Sequence, residues 1–275
     1  MRLFGFVFAI GLMLAPLAAQ AQQMQERKAA KVGFLIGGTV SSPSVQIEPF
    51  KQTLREKGWI EGQNLTLEYR SANGAYDRLS DLAADLVGRR VDAIVTDGTP
   101  QTQAAQQSTK TIPIVMATTG DPVATGLVAT LARPGGNTTG VSYFVPELNA
   151  KRLELLQEAV PDIKRVAVLY NQRNRTDELA LESIEAAAKP LKIRIQRLAV
   201  RTPADVEAVF PAITRRAMDA ITVVEDAVIH ASALSVVDVA LKNRVAALVG
   251  LSSLVTAGPS CRMGQTGPTF GAKRR

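Results

Sequence analysis

The sequence predicts an α/β protein with two lobes, each a mainly parallel sheet flanked by helices. Short apolar segments typical of buried strands alternate with amphipathic helical patterns. The alternation is interrupted by the segment YFVP at residues 143–146 and then resumes. Alternating strands and helices indicate parallel strands joined by right-handed crossovers, and the interruption indicates a boundary between two such sets. With 275 residues, 46% of them apolar, the chain can bury a full core.

The first half of the chain predicts five strands separated by four helices. The strands are residues 32–36, 65–70, 91–96, 112–117 and 139–143. The first helix contains Phe50 and ends at Gly58, and the second is capped by Asp77. The third covers residues 101–108. The fourth, residues 123–131, follows from apolar residues at helical spacing and is stopped by PGGN at 134–137.

The second half repeats the alternation without a convincing sequence repeat. Its predicted helices are residues 148–160, 177–189, 204–216 and 232–243, and its strands are residues 165–170, 193–200, 220–224 and 245–249. We therefore expect one lobe over residues 31–142 and a second over residues 147–258.

Small polar side chains follow several strands, where open α/β sheets bind ligands. Thr118, Thr119 and Asp121 follow the strand at 112–117. They can offer hydroxyls and a carboxylate to a small polar solute. Asp121 also precedes Pro122, which is typical of a helix N-cap, and the two roles can coexist.

Three other loops offer polar groups with equally plausible structural roles. The Gly-rich loop after the first strand holds Ser41 and Ser42 and is either a ligand loop or a flexible turn. Asn171, beside Tyr170, is a ligand contact or a turn residue, and Asp226 can pair with an amine or cap a helix. No loop has the spacing that cradles nucleotide phosphates.

Composition and motifs disfavour several other functions. The 32 Lys and Arg residues outnumber 25 Asp and Glu residues, but they are dispersed and not interleaved with aromatics, so no nucleic-acid surface is indicated. A single Cys, Cys261, and a single His, His230, leave little for disulfides, metal sites or a proton relay. The segment 250–254 lacks the second glycine of a hydrolase nucleophile elbow, and His230 is interpreted as a surface or packing residue. An enzyme is not indicated.

The N-terminus predicts a secretory signal peptide over residues 1–21. A positive Arg2 precedes the apolar segment 3–17, and Ala19-Gln20-Ala21 is a small-x-small cleavage site. The apolar segment is too short for a typical membrane span. We expect the mature protein in the periplasm.

A longer set of segments resembles a known family. VGFLIGG, EKGWIEGQNLTLEYRSANGAYDRLSDLAADLV, TDGTPQTQAAQQSTKTIPIVMATTGDPVATGLVATLARPGGNTTGVS and ELNAKRLELLQEAVP occur in this order. Together they are similar to the ABC-transporter substrate-binding proteins of the TrpX-like group, which is linked to uptake of tryptophan and other aromatic amino acids. The resemblance covers about residues 1–258.

The resemblance implies a type I periplasmic binding protein, monomeric and without a cofactor. Its two lobes would close by a hinge on a small solute, and an ABC permease would recognise the closed form. Contacts carried over by position are Ser41, Ser42, Thr99, Pro100, Thr119 and Asp121 from the first lobe, and Asn171 and Asp226 from the second. An extracytoplasmic sensor for a membrane kinase would have the same fold. After Gly258 the basic segment 259–275 departs from the family pattern, which indicates a truncated or frame-shifted end and leaves a non-functional remnant as a further alternative.

Overall fold

The computed structural model describes residues 29–40, 47–143, 146–215, 218–249 and 269–270. They form two five-stranded sheets, each belonging to one lobe, so the predicted α/β fold class is confirmed. Among these residues, no helix is both long enough and apolar enough to cross a membrane. Ser41 and Ser42, the signal segment 1–21 and most of the segment 259–275 lie outside the described residues.

The sheet of the first lobe is entirely parallel, in the order β2-β1-β3-β4-β5. Its strands are β1 (Ala30–Ile36), β2 (Leu65–Ser71), β3 (Ala93–Thr96), β4 (Ile114–Met116) and β5 (Thr138–Gly140), and its helices are α1 (Ile47–Glu56), α2 (Leu79–Gly88) and α3 (Thr99–Ser108). The central strands are the most apolar because helices cover both faces of such a sheet. Leu35 and Ile94 are fully buried.

The sheet of the second lobe has the order β10-β9-β8-β6-β7. Its strands are β6 (Arg165–Asn171), β7 (Arg194–Val200), β8 (Ala220–Val223), β9 (Ala246–Val249) and β10 (Thr269–Phe270), and its helices are α4 (Pro146–Ala159), α5 (Arg175–Ala188), α6 (Pro203–Arg215), α7 (Ala227–Ala231) and α8 (Ala233–Lys242). The last strand, β10, pairs antiparallel with β9 and was not predicted. The short helix α7 was not predicted either.

Two local predictions in the first lobe are wrong. Residues 123–131 do not form a helix but a series of turns. Asp121 caps a single turn, in which the Thr125 hydroxyl bonds to the Asp121 carbonyl, and Gly126 then adopts a φ of +76°. That left-handed conformation ends the turn before a second one can form. Asp77 does not cap α2, because it lies within a 3-10 turn over Tyr76–Arg78.

The two lobes pack against each other in this structure. The first-lobe Tyr76 and the second-lobe Val228 and Val206 belong to one continuous cluster of buried apolar residues. A Cβ on Gly74 would lie 3.2 Å from the Pro203 ring, so the loop after β2 contacts the start of α6 directly. The carboxyl ends of the strands in both lobes therefore face a common space.

Candidate functional site

A cavity of about 290 Å³ lies between the two lobes. Its first-lobe lining comes from the loops that follow β2, β3, β4 and β5, and its second-lobe lining from the loops after β6 and β8. The lining residues are Tyr76, Asp97, Gly98, Thr99, Pro100, Gln101, Thr118, Gly120, Tyr143, Asn174, Thr176, Glu225, Asp226, Ala227 and His230. Strand ends from both sheets thus meet at one cavity, as expected for a ligand site in open α/β sheets.

The N-terminus of helix α3 forms one wall of this cavity. Gly98 is its N-cap residue and provides no side-chain cap, and Pro100 lies in its first turn. Thr99 is 2% exposed, and its hydroxyl is 2.8 Å from that of Thr176 in the other lobe. Uncapped N–H groups and the helix dipole make such a terminus favourable for an anion.

Next to this terminus lie two side chains that can accept hydrogen bonds. Asp97 Oδ1 accepts from the Gly37 N–H at 2.9 Å. Burial raises the pKa of the Asp97 carboxyl to about 7, and the charge of Asp226 contributes in the same direction. Gln101 is 2% exposed, and its Oε1 is buried without a partner. A buried unpaired acceptor is destabilising, which favours a bound donor at this position.

Asp226 is the centre of a buried hydrogen-bond network on the other side. Its Oδ1 accepts from the Val228 N–H at 2.8 Å and from Asn171 Nδ2 at 3.0 Å. Its Oδ2 accepts from Asn174 Nδ2 at 3.0 Å and from the Tyr76 hydroxyl at 2.9 Å. Asp226 therefore caps α7 and lines the cavity at once, with its carboxylate already supplied with donors.

The structure separates the predicted site residues into two groups. Thr99, Pro100 and Asp226 line the main cavity. Asn171 is fully buried beneath Asp226, and its Oδ1 accepts from the Arg173 N–H, as a turn residue does. Thr119 is also fully buried and has an unpartnered hydroxyl.

Asp121 serves as a cap and also borders a second cavity. Its Oδ1 accepts from the backbone N–H groups of Val123 and Ala124, both at 2.9 Å. It lines a smaller cavity of about 70 Å³ that adjoins the main one. The predicted N-cap is thus present, although the helix it was expected to begin is only one turn.

Several cavity residues were not recognised from the sequence. His230 lines the cavity, and its Nε2 is buried without a partner. Burial lowers the pKa of the His230 imidazole, although the charges of Glu225 and Asp226 oppose this shift. Tyr76 is buried, which together with Asp226 raises the pKa of its phenol. Their only sequence signal was a position in, or soon after, a loop that follows a strand.

The smaller cavity connects the main cavity to the second-lobe core. It shares Gly120, Tyr143, Thr176 and Glu225 with the main cavity. Its remaining lining residues are Asp121, Asn149, Arg152, Leu179, Ala180 and Val224. Arg152 forms an ion pair with Glu225 at one end.

Direct contacts join the lobes around the site. Besides the bonds that Tyr76 and Thr99 make to the second lobe, Arg173 forms an ion pair with Asp77. Gly120 leaves no room for a side chain, since a Cβ there would lie 2.2 Å from Thr176 Cγ2. Close interlobe packing therefore borders the cavity.

Two α/β lobes with a cavity at their strand ends are the architecture of bilobal solute-binding proteins. The chain belongs to the ABC transporter substrate binding protein family, whose sequence model matches residues 37–271. This confirms the resemblance seen in the sequence and the type I binding-protein fold.

Individual relatives agree with this assignment. A tyrosine-binding protein of Clostridioides difficile (strain R20291) is 29% identical over 209 residues, 76% of this chain and 60% of the relative. The chain thus spans less than two thirds of that relative's length. The ABC domain in complex with L-Trp from Streptococcus pneumonia has a TM-score of 0.75 at 25% identity, covering 84% of this chain and 77% of the other.

A third relative is a ligand-free, open structure of a Clostridium difficile substrate binding protein with adhesive properties. It is 26% identical, with coverage of 80% of this chain and 74% of the other, but its TM-score is only 0.51. At nearly equal identity, the present structure is closer to the L-Trp complex than to this open form.

Proposed function

We propose that this protein is a periplasmic receptor that binds a single amino acid with an aromatic side chain and delivers it to an ABC importer by hinge closure. The observation that carries the proposal is the interlobe cavity, which presents an uncapped helix N-terminus beside the Asp97 carboxyl and the unpartnered Gln101 Oε1. These are complementary to the two charges of a zwitterion. The volume of about 290 Å³ is near the lower end of small-molecule pockets, so one small solute fills it.

The carboxylate of the ligand is assigned to the N-terminus of α3. The first N–H groups of a helix have no intrahelical partner and attract anions. Thr99, at this terminus and 2% exposed, adds a hydroxyl that can donate. Thr118, from the loop after β4, lines the same part of the cavity.

The ammonium group of the ligand is assigned to Asp97 and Gln101. The Asp97 carboxyl has a pKa of about 7, mainly because it is buried. An ammonium group in contact would favour the charged carboxylate and lower that pKa. It would also supply the donor that the buried Gln101 Oε1 lacks. Asp226, which already has four donors, holds the cavity wall in place.

The aromatic side chain is supported by the relatives. One related protein is described as tyrosine-binding, and another was solved in complex with L-Trp. The cavity of this chain has the rings of Tyr76, Tyr143 and His230 among its lining residues. Offset or edge-to-face contacts with such rings favour an aromatic solute.

Hinge closure is supported by the interlobe contacts and by the closer similarity to the L-Trp complex than to the open form. A ligand that contacts both lobes gains more contacts in the closed arrangement and shifts the population toward it. The closed surface is then the shape that the membrane permease recognises, and no covalent step is needed. Residues 1–21 act as the export signal in this proposal.

The direct test is calorimetric titration of the purified protein with L-tyrosine, L-tryptophan, L-phenylalanine, tyramine and 3-phenylpropionate. We expect one-to-one binding of the amino acids and severe loss of affinity for the two analogues that lack one charged group. Asp97→Asn should abolish the advantage of L-phenylalanine over 3-phenylpropionate, whereas the exposed Asp81→Asn should behave as the parent. Absence of binding for all amino acids would refute the proposal.

The importer role has a separate test in the source cells. Deleting the gene should lower uptake of the bound amino acid, and restoring it should recover uptake. Unchanged uptake with loss of ligand-dependent gene expression would instead support a sensor.

A further inference from the structure

We propose that the smaller cavity is a specificity subsite, in which the Arg152–Glu225 pair recognises a hydroxyl group at the far end of the ligand's aromatic ring. The preferred solute is then a phenol-bearing amino acid. The inference rests on the proposed function, because it requires the amino-acid head group to occupy the main cavity.

The smaller cavity is placed to receive the side chain of such a ligand. It opens from the main cavity between Gly120 and Tyr143 of the first lobe and Thr176 and Glu225 of the second. The head-group wall, formed by Asp97 and the start of α3, belongs to the main cavity only. A solute anchored at that wall can therefore extend its side chain past the rings of the main cavity and into the smaller one.

The walls of the subsite are suited to a ring. Leu179 and Ala180 of α5 and Val224 at the end of β8 form an apolar surface, and Val224 is 5% exposed. The cavity volume of about 70 Å³ is several times the roughly 10–15 Å³ needed by one water molecule. A flat apolar group of a few atoms fills this space better than a charged or hydrated side chain.

The polar wall of the subsite runs from Glu225, at the opening shared with the main cavity, to Arg152, which does not line the main cavity. Arg152 on α4 donates to Glu225 Oε1 and, at 3.3 Å, to Asn149 Oδ1. Behind Arg152 and Asn149 remains a void of only about 10 Å³, which holds about one water molecule among core residues such as Leu153. The ring therefore ends at the ion pair.

An ion pair at this position selects a group that both donates and accepts hydrogen bonds. A phenolic hydroxyl can donate to the Glu225 carboxylate and accept from the Arg152 guanidinium. Hydrogen bonds to charged groups contribute about 1.5–3 kcal/mol, which corresponds to roughly 10- to 150-fold in affinity. The side chains of Arg152 and Glu225 are 23% and 29% exposed, so screening by water favours the lower part of this range.

The test compares ring substituents by calorimetry on the parent protein and on Glu225→Gln. We expect L-tyrosine to bind at least tenfold more tightly than L-phenylalanine or 4-fluoro-L-phenylalanine. In Glu225→Gln that ratio should fall to about threefold or less, with little change for L-phenylalanine. Glu154→Gln, a change at an exposed position on the helix that carries Arg152, should keep the ratio of L-tyrosine to L-phenylalanine affinity found for the parent protein. The ratio is insensitive to partial unfolding, which lowers both affinities together.

Each result separates the subsite from the receptor proposal. Equal affinity of the parent for L-tyrosine and L-phenylalanine would overturn the subsite and leave the receptor intact. A Glu225→Gln variant with the parent ratio, or one that loses both amino acids equally, would also overturn it, because Glu225 would then be inert or serve the head group. Failure of every amino acid to bind would refute the receptor proposal itself.

Discussion

Replacing Gly120 by alanine tests whether close approach of the lobes is needed for binding. Gly120 does not have a positive φ, so alanine fits its backbone. The new Cβ would lie 2.2 Å from Thr176 Cγ2, 2.6 Å from Oγ1 and 3.0 Å from Cβ. Non-bonded carbon atoms prefer about 3.5–4.0 Å, so the lobes must separate locally by about 1.3 Å. That displacement would break the 2.8 Å bond between Thr99 and Thr176.

The magnitude follows from the cost of inserting one methyl group into a packed contact. Overpacking of this kind costs about 1–3 kcal/mol, which here falls on the closed form. The Kd for the amino-acid ligand should therefore rise by about 5- to 150-fold. Thermal unfolding of the variant checks that it still folds.

The assay is calorimetric titration of the parent and of four variants: Gly120→Ala, Gly88→Ala, Thr176→Ala and the Gly120→Ala/Thr176→Ala double variant. Gly88→Ala is the matched control, because a Cβ at Gly88 meets nothing within 4 Å. Thr176→Ala removes Cγ2 and Oγ1 and leaves only the 3.0 Å contact, so the double variant should recover much of the lost affinity. Parent-like binding by Gly120→Ala, or simple additivity in the double variant, would refute the reasoning.

Three further predictions follow from the carboxylates and from the interlobe hydroxyl of Tyr76. The pKa of the Asp97 carboxyl rises from 3.8 to about 7 on folding, so the stability of the ligand-free protein should fall as pH rises between these values, which urea unfolding measures. Binding of an ammonium group near pH 7 should release protons, which calorimetry in two buffers measures. Asp97→Asn must abolish both effects. Tyr76→Phe removes the 2.9 Å hydrogen bond to Asp226 and should weaken ligand binding about tenfold, chiefly through faster dissociation of the ligand. An unchanged dissociation rate in stopped-flow measurements would contradict this prediction. Asp226→Ala leaves buried donors unpaired and should lower the free energy of unfolding by about 3 kcal/mol. Asp121→Ala removes only a cap and should lower it by about 1 kcal/mol. Equal losses for the two variants in urea unfolding would refute the comparison.

Periodicity predicted the central strands well because most of their residues are apolar and buried. The apolar segment around Leu35 and the one around Ile94 can only be central strands in an alternating pattern, and both are. It failed at residues 123–131, where apolar residues also recur at helical spacing. There the left-handed conformation of Gly126 decided the outcome, and no apolar pattern reports a single backbone angle.

The site was less predictable because its composition depends on how two lobes face each other. The strand-end rule identified Asp226 and the family resemblance added Thr99, and both line the cavity. The same rule selected Asn171, which lies beneath the cavity wall and supports Asp226. Tyr76 and His230 were missed, since local sequence does not show that a first-lobe phenol bonds to a second-lobe carboxylate or that one imidazole faces the gap.

The electrostatics of the cavity link recognition of the ammonium group to closure. In the proposed hinge closure, Asp97 is removed from water and lies closer to Asp226 of the other lobe; both effects disfavour the charge of Asp97, with desolvation the larger. A ligand with an ammonium group reverses both effects, because it supplies a positive charge and donors where water is excluded. Asp226 needs no such relief, since Tyr76, Asn171 and Asn174 already donate to it. In this proposal the positive charge of the ligand both contributes affinity and favours the closed form, whereas a solute without that charge leaves the buried Asp97 carboxylate uncompensated.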